Sequence, residues 1–474
     1  MKKIGIFFIG SALALCSCTK DLTSLNVNPK APTLVPSYTL FSNAQLNFAN
    51  DHASPNVFLN TWRLIAQHWS ETSYTEASNY DLGTRNVPQA WWHALYRDVL
   101  KNLEESKKLI PGDVLDAEVR KNQLAIVDIM EVVVYHYLVS AFGNIPYSKA
   151  LNIDNLQPEY DDAAAVYSSL LSKLNSAIGN LNTGAASFGS SDLIYGGNVG
   201  KWKKFGNSFK IKMGMMMADY DPTTSKTAVE QAALGAFTSN TENAMFNFLN
   251  TTPNTNPVWV NLVQSGRNDF VVASTLVNTM KTLNDPRIPL YFTKDLNNGY
   301  SGGVIGATNT YATFSKPAAA IQAASFPTWF MDLAEVQFLL AEAKERGYNV
   351  PGTAADHYDS AVVASVTFWG GSEADAKAYL LTPAVNYATA AGNYKEKIGT
   401  QKWIALYERG FDAWTEWRRL DYPALVAPPT AITPIPLRFT YPVSEQNLNK
   451  ANYTSASAAI GGDKVTVKLW FDKH

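Results

Sequence analysis

Apolar residues recur at helical spacing through most long segments of this chain, and this periodicity limits the fold more than any other feature. The segment 116–142 is the clearest case, because it is long and very apolar and is followed by the helix-stopping residues Gly143 and Pro146. Few segments show the sustained alternation of polar and apolar residues that is typical of strands. The sequence therefore predicts a mainly α protein with a single helical body.

The same periodicity predicts helices on both sides of this segment. They share apolar stripes at three- and four-residue steps. The further predicted helices are 37–49, 56–69, 89–109, 161–181, 200–219, 274–283, 330–346, 354–369, 373–381 and 400–419. Several are separated by short turns, so we expect tetratricopeptide-like helix-turn-helix pairs, although the strict 34-residue signature of that repeat is absent. The C-terminal stretch is predicted to be irregular, with a short hairpin as an option.

Residues 240–327 differ in composition from the rest of the chain. Prolines occur there together with Asn and Gly runs such as NTTPNTNP and NNGYSGG. An irregular region of this length is uncommon inside a compact body unless it carries function. We therefore predict that the body, residues 38–474, has a loop-rich ligand-binding region at about 240–327.

The N-terminus has the pattern of a secretory leader. Two lysines precede an apolar run over residues 4–15, which is too short for a membrane-spanning helix. The sequence therefore predicts a signal peptide over residues 1–17 that is removed from the mature protein.

The residues at the end of this leader resemble a bacterial lipobox. The small Ser17 before Cys18 fits that pattern better than the bulky Leu15 before Cys16. Lipidation is therefore predicted at Cys18. Residues 18–37 contain several Pro, Asn, Ser and Thr residues, which favours an extended lipidated tether between the membrane and the first helix.

Charge and cysteine content exclude several function classes. The formal net charge is −2 at pH 7, and a nucleic-acid partner is not expected because phosphate binding needs a basic surface. Both cysteines lie at the leader, so no second cysteine is available in the mature chain for a disulfide. The six histidines lack the spacing of metal ligands. We therefore predict no metal site and no cofactor.

Recognised catalytic motifs are missing from the sequence. There is no Gly-x-Ser-x-Gly elbow, no His-Glu-x-x-His and no complete phosphate loop. Paired carboxylates remain possible, since glycoside hydrolysis needs two. Glu335 and Glu342 share one helix face, but we favour burial and pairing with arginines. Glu408, Asp412 and Glu416 form a second acidic stripe, interpreted as a solvated or ion-paired face. The chain is predicted not to be an enzyme.

Aromatic residues outside the predicted helices are the candidates for a ligand surface. Aromatic faces stack on sugar rings, and neighbouring Arg, Asn and Asp side chains form hydrogen bonds with hydroxyl groups. The polar connection 71–89 and the loop-rich region both combine these residue types. The predicted ligand-binding residues are Tyr74, Tyr80, Arg85, Trp259, Arg267, Asn268 and Asp269. Tyr300, Tyr311 and Trp329 are the second choice.

An ordered set of motifs extends over nearly the whole chain. The set begins with the lipobox at Cys18 and Asn28-Pro29 and continues with Trp91-Trp92. Its later members are AFGNIPYSKA from residue 141, KWKKFGNSFKIKM from 201, DLAEVQFLLAEAKERG from 332 and QKWIALYERGFDAWTEWRRLDYP from 401. In these motifs the chain resembles the SusD/RagB-like nutrient-binding outer-membrane lipoproteins of Bacteroidetes, in particular the SusD-like branch.

The resemblance implies a tetratricopeptide-like helical body with a surface ligand site. It also implies a SusC-like TonB-dependent transporter as partner, over which the lipoprotein acts as a hinged lid, and a lipid-anchored, surface-exposed position at the outer membrane. Ligand contacts in the family come from variable loops, so the resemblance assigns no site residue.

We therefore predict a non-enzymatic lipoprotein that captures an oligosaccharide, with a peptide as second choice, and delivers it to the transporter. Two alternatives stay open. One is a secreted helical glycoside hydrolase that uses Glu335 and Glu342. The other is a helical-repeat scaffold that binds only protein.

Overall fold

The computed structural model describes residues 35–473, and its helical body begins at Ser37. The predicted signal peptide, the lipidation site Cys18 and all but the last residues of the tether lie outside the described residues.

Helices dominate the body, and the prediction of a mainly α fold is confirmed. The helices are α1 (Ser37–Ala53), α2 (Trp62–Ile65), α3 (Val87–His93), α4 (Lys101–Asp113), α5 (Ala117–Phe142), α6 (Ala163–Asn180), α7 (Val199–Met216), α8 (Pro222–Ala232), α9 (Pro257–Trp259), α10 (Ser274–Leu283), α11 (Ile288–Tyr291), α12 (Leu333–Glu345), α13 (Ala354–Phe368), α14 (Glu373–Leu380), α15 (Tyr394–Ala405), α16 (Gly410–Leu420), α17 (Val443–Leu448) and α18 (Lys450–Ala459). A π-helical turn over 94–100 joins α3 to α4. Helices adjacent in sequence pack on each other, as α5 does on α6, α7 on α8 and α12 on α13.

The long apolar helix α5 forms the centre of the core. By length and composition it could cross a membrane, but 89% of its most apolar window is buried inside the body. Its first turn is capped by Asp116, whose side chain accepts hydrogen bonds from two backbone N–H groups. At its other end, buried Arg418 donates to the carbonyl of Ser140 and buried Arg438 donates to that of Phe142. These guanidinium groups satisfy carbonyls that the helix itself leaves unpaired.

Two short antiparallel ribbons connect the loop-rich region to the rest of the body. Strand β1 (Trp69–Glu71) pairs with β3 (Phe270–Val272), with Glu71 opposite Phe270. Strand β2 (Met245–Phe246) pairs with β4 (Thr328–Trp329). Most of residues 240–327 is irregular, and α10 has the bounds predicted for it.

The predicted helix 56–69 is wrong over most of its length. Only α2 is helical there, and Gln67 has a positive φ of 56°, which turns the chain out of the helix and into β1. Phe58 lies in a turn and not on a helix face. The apolar spacing imitates one helix because the exposed Phe58 of a turn, the short helix α2 and the buried strand β1 follow one another at three- and four-residue steps.

The predicted helix 400–419 is two helices, α15 and α16. The chain breaks at Glu408, which has a φ of 71° and forms an ion pair of 2.9 Å with Arg63. At the start of α16, a Cβ on Gly410 would lie 2.5 Å from the backbone nitrogen of Arg63. The break and the glycine together let α16 approach the backbone of α2 closely.

The C-terminal stretch is irregular over 428–442 and 461–472, as predicted, but α17 and α18 lie between these two segments and were not predicted, and the described strands all precede α12. In α18, Ala456 is the buried residue. A helix without a broad apolar stripe leaves little periodicity for a sequence to display.

Two groups of buried ion pairs connect four helices of the body, namely α7, α12, α15 and α16. Lys212 of α7 lies 2.9 Å from Glu335 of α12 and also pairs with Asp412 of α16. Arg409, just before α16, pairs with Glu335 at 2.7 Å and with Asp412 at 2.8 Å. All four side chains are fully buried.

A second buried group lies further along the same helices. Arg419 pairs with Glu342 at 2.5 Å and with Glu416 at 2.6 Å, while Lys402 of α15 reaches Glu416 at 2.8 Å. Burial alone would raise the pKa of Glu342, but the guanidinium groups of Arg419 and Arg346 hold that pKa below its ordinary value. The two groups together are called the core ion-pair network.

The network decides how the acidic residues of the sequence are to be read. Glu335 and Glu342 are buried and paired with arginines, which confirms the favoured interpretation. Glu408, Asp412 and Glu416 are also buried and ion-paired, so the option of a solvated face is wrong.

Candidate ligand-binding site

The β1–β3 ribbon brings together two segments that are almost 200 residues apart in the chain. Beyond the paired strands, the backbone N–H of Thr72 donates to the carbonyl of Asp269 at 2.8 Å. The hydroxyl of Thr72 donates to the carbonyl of Asn268 at 2.6 Å. The connection that carries Tyr74 and Arg85 therefore lies beside the loop 265–269.

A buried asparagine of the loop-rich region supports this ribbon. The side-chain amide of Asn309 donates to the carbonyl of Glu71 at 2.8 Å, and its backbone N–H donates to the carbonyl of Thr72 at 3.0 Å. Asn309 is buried, so these hydrogen bonds to the end of β1 are shielded from water. These bonds tie the loop-rich region to the end of β1, where the loops of the site begin.

A cavity of about 230 Å³ opens beside the ribbon and is called the ribbon cavity below. It is lined by Val57, Phe58, Glu71, Ser73, Tyr74, Arg85, Arg267, Asp269 and Phe270. A neighbouring depression of about 80 Å³ shares Phe58, Arg267 and Asp269 with it and extends the site toward Asn56 and Asn261. The structure thus brings together four of the predicted ligand-binding residues, namely Tyr74, Arg85, Arg267 and Asp269.

Two exposed aromatic rings line the cavity. Phe58 is 57% exposed and Tyr74 is 74% exposed. Tyr74 has a φ of 55°, which is uncommon for an aromatic residue, and its carbonyl accepts a hydrogen bond of 3.2 Å from Arg85. Left-handed backbone at a bulky residue costs free energy and is retained mainly where surrounding contacts enforce it. The bond from Arg85 is one contact that fixes the backbone of Tyr74 in this conformation, in which the ring is exposed.

Sequence reasoning missed Phe58, because its spacing matched the apolar stripe of a predicted helix. In the structure the side chain of Asn56 accepts a hydrogen bond of 3.0 Å from the backbone N–H of Phe58. An Asn that bonds the backbone two residues later is a turn signal. Together with the preceding Pro55, this signal could have placed Phe58 in a turn.

Each arginine of the cavity bonds a carboxylate. Arg85 donates to Glu76 at 2.8 Å and lies 3.4 Å from Glu71, and its guanidinium carbon is 5.4 Å from the centre of the Phe58 ring. Arg267 donates from Nε to Asp269 at 2.6 Å. The cavity therefore offers aromatic faces beside hydrogen-bonding pairs of opposite charge.

Glu71 lies at the back of the cavity and is almost completely buried. Its carboxylate accepts a hydrogen bond of 2.8 Å from the backbone N–H of Ser78. Burial raises the pKa of Glu71 to about 6, although the bonds from Ser78 and the charge of Arg85 act in the opposite direction.

The structure places three predicted residues outside the cavity lining. Tyr80 is 1% exposed, and its hydroxyl accepts a hydrogen bond of 3.1 Å from Gln67, so its ring packs in the core and offers no face to a ligand. Burial raises the pKa of Tyr80 to about 12. Trp259 is half-buried at the end of α9. Asn268 is exposed, and its backbone carbonyl accepts a hydrogen bond from the hydroxyl of Thr72.

The second-choice aromatics are less exposed than Phe58 and Tyr74, since Tyr300 and Tyr311 are half-buried. The Lys294 ammonium lies 4.0 Å from the ring centre of Tyr300, and that of Lys316 lies 4.8 Å from that of Tyr311. Trp329 is buried in β4.

Within the described part of the chain, no three His, Asp or Glu residues lie together in a way that could hold a metal ion.

Comparisons with known proteins agree on one family. A family model named SusD-like and described as starch-binding, associating with outer membrane, matches residues 29–442. Among curated proteins there is no match.

Solved structures resemble the fold along its length. A chitin-binding protein is 26% identical with a TM-score of 0.80, over 92% of this chain and 100% of that chain. A SusD homologue from Bacteroides uniformis is 26% identical with a TM-score of 0.77, over 92% and 100%. A SusD homologue from Bacteroides thetaiotaomicron is 25% identical with a TM-score of 0.77, over 93% and 100%. The resemblance seen in the sequence motifs is confirmed, and the chain belongs to the SusD-like family.

Proposed function

We propose that this protein binds an oligosaccharide in the ribbon cavity and delivers it, as a non-enzymatic surface lipoprotein, to a SusC-like TonB-dependent transporter. The observation that carries the binding proposal is the position of two exposed aromatic rings, Phe58 and Tyr74, beside two arginine–carboxylate pairs. The two rings offer surfaces on which a sugar can stack, and the arginine–carboxylate pairs offer both hydrogen-bond donors and acceptors.

The chemistry of sugars fits this combination. A pyranose ring has an apolar face of C–H groups that packs on an aromatic ring, and its hydroxyl groups both donate and accept hydrogen bonds. Carboxylates such as Asp269 accept only, and guanidinium groups such as that of Arg267 donate only. Affinity in the micromolar range, about −8 kcal/mol, suits a protein that must also release its ligand.

The comparisons support a carbohydrate as the ligand class. The family description includes starch binding, and a chitin-binding protein is among the structures that resemble this fold. Maltooligosaccharides and oligomers of N-acetylglucosamine are therefore the first ligands to test, and a peptide stays the second choice.

The hydrolase alternative is disfavoured by the position of its carboxylates. Glu335 and Glu342 are buried and lie within the core ion-pair network. A glycosidase needs two carboxylates that face the scissile bond, one of which gives up a proton. Glu342 in particular is held in its ionised form by Arg419.

Titration calorimetry of the mature chain tests the binding proposal. The probes are maltohexaose, the hexamer of N-acetylglucosamine and a mixture of short peptides, and each oligosaccharide is also incubated with the protein and examined for products. We expect micromolar binding of at least one oligosaccharide without cleavage. Cleavage would support the hydrolase, and binding of peptides alone would replace the ligand class.

The anchor and the partner need separate experiments. Metabolic labelling with a fatty-acid probe should be lost in Cys18→Ala and retained in Cys16→Ala, because Ser17 fits the residue before a lipidated cysteine and Leu15 does not. Label retained in Cys18→Ala would contradict the anchor. Affinity purification from native membranes should recover a TonB-dependent barrel with the wild type, and recovery without any such barrel would contradict the delivery role.

A further inference from the structure

The charges around the ribbon cavity nearly cancel. Arg85 and Arg267 line it, and so do Glu71 and Asp269. Glu76 adds a further carboxylate, since it bonds Arg85 at 2.8 Å and 45% of its side chain is exposed. When these carboxylates are ionised, the group carries one more negative than positive charge. The whole chain is also slightly acidic, with a formal net charge of −2.

Both arginines already form ion pairs with carboxylates of the protein itself. Arg85 contacts two of them, at 2.8 and 3.4 Å, and Arg267 contacts Asp269 at 2.6 Å. An acidic ligand would therefore have to displace Asp269 or Glu76, or else place its own charge beside theirs. Like charges brought together in a partly desolvated site oppose binding.

We infer that the ribbon cavity selects neutral oligosaccharides and rejects those whose sugars carry carboxylate or sulfate groups, with Glu76 and Asp269 as the residues that determine this selectivity. The inference rests on the proposed function, because it concerns the same site. A neutral sugar leaves both arginine–carboxylate pairs intact. Its hydroxyl groups can accept from guanidinium N–H groups that do not face the carboxylate and can donate to the free oxygen positions of Asp269.

The test compares ligands of the same chain length that differ at C6, with the uronate and its methyl ester as the pair that isolates the charge. The probes are the neutral hexasaccharide that binds best in the panel above, the same chain oxidised at C6 to a uronate, and the methyl ester of that uronate. We expect the uronate to bind about tenfold more weakly than its uncharged ester at low salt, and the ratio to shrink as salt screens the carboxylates.

Two variants assign the effect to residues. Asp269→Asn and Glu76→Gln should each bring the affinity for the uronate closer to that for the ester. Glu373→Gln is the matched control, because it removes one negative charge from an exposed residue of α14, and it should leave the ratio unchanged.

The outcomes separate this inference from the proposed function. If the uronate binds more tightly than its ester, the proposed selectivity is wrong, while the proposal of oligosaccharide binding stands. If the uronate and the ester both bind more weakly than the neutral hexasaccharide by the same factor, the shape at C6 and not the charge lowers the affinity. This result would also overturn the proposed selectivity. A ratio unchanged in both cavity variants would contradict the role of Glu76 and Asp269. Failure of every oligosaccharide would remove the proposed function and this inference with it.

Discussion

The core ion-pair network and the ribbon cavity are built from the same residue types in opposite surroundings. In the network, the side chains of Arg409 and Arg419 and their carboxylate partners are withdrawn from water. In the cavity, 61% of the Arg267 side chain and 27% of the Asp269 side chain remain exposed. Aromatic rings differ in the same way, since Trp414 is buried and Tyr74 is in solvent. Burial, and not residue type, separates the part that holds the fold from the part that can meet a ligand.

The physical reason is the cost of removing a charge from water. A buried pair is stable only while both partners remain, because each one compensates the desolvation of the other. An exposed pair contributes little to folding, since water can replace either partner. Exposed pairs can therefore exchange hydrogen bonds with a sugar, whereas the network cannot take part in binding without unfolding its surroundings.

The largest expected effect is the loss of a network carboxylate. Glu335→Gln and Glu342→Gln should each lower the free energy of unfolding by roughly 3 to 5 kcal/mol, because each removes one carboxylate from a buried arginine whose remaining carboxylate partners then compensate its charge less fully. Denaturant unfolding followed by circular dichroism measures this loss. Ligand affinity of the folded fraction should not change.

The matched control for this prediction is the exposed pair Lys377–Glu373, whose side chains are more than half exposed. Glu373→Gln should leave the free energy of unfolding nearly unchanged, because an exposed pair contributes little to folding. Equal losses in buried and exposed variants would contradict the distinction between the two regions. Loss of a glycan-cleaving activity in Glu335→Gln and Glu342→Gln would restore the hydrolase alternative.

The next effect concerns Glu71, which lies between the two regions because it is buried and yet lines the cavity. Its pKa in the folded chain is about 6, above the ordinary 4.5, so the folded state favours the protonated form. Ionisation therefore costs stability: wild type should lose roughly 2 kcal/mol relative to Glu71→Gln as the pH rises from below 4.5 to above 6.

Denaturant unfolding of both chains at pH values on each side of this window checks the sign. A stability difference that is flat across the window would contradict the burial of an ionising Glu71. A difference of the same sign and size in Glu373→Gln would show that burial is not the cause.

The smallest expected effect is the change in ligand affinity on replacing Trp259, for which the sequence and the structure make different predictions. Sequence reasoning placed Trp259 in the ligand surface, whereas the structure leaves it half-buried outside the cavity lining. Trp259→Ala should therefore change ligand affinity by less than about twofold, as is usual for residues outside a binding core. A tenfold loss in a folded variant would extend the site toward α9.

Strong periodicity made much of the fold predictable. A helix such as α5 was anticipated because its sequence is long and apolar and because Asp116 before it and Gly143 after it mark its ends. The break between α15 and α16 was not anticipated, because it depends on the ion pair between Glu408 and Arg63, which are far apart in sequence. Local patterns contain no information on such a partner.

The site was predictable in part for the same reason. Residue chemistry indicated Tyr74, Arg85, Arg267 and Asp269, and the β1–β3 pairing that joins them is a long-range contact that one sequence does not reveal. Tyr80 lies in the same polar connection as Tyr74 but turns into the core. Composition alone could not tell these two tyrosines apart.

The most direct test of the central claim is the affinity of the best oligosaccharide for Tyr74→Ala, Phe58→Ala and the control Tyr38→Ala. Tyr38 is 49% exposed on α1 and does not line the cavity, so it matches Tyr74 in chemistry but not in position. By analogy with aromatic stacking on nucleic-acid bases, the cavity variants should lose about 1 to 3 kcal/mol, or roughly ten- to hundredfold in affinity, with little change in unfolding free energy. Tyr38→Ala should bind like the wild type. Unchanged affinity in both cavity variants, each shown to be folded, would contradict the assignment of the ribbon cavity as the binding site.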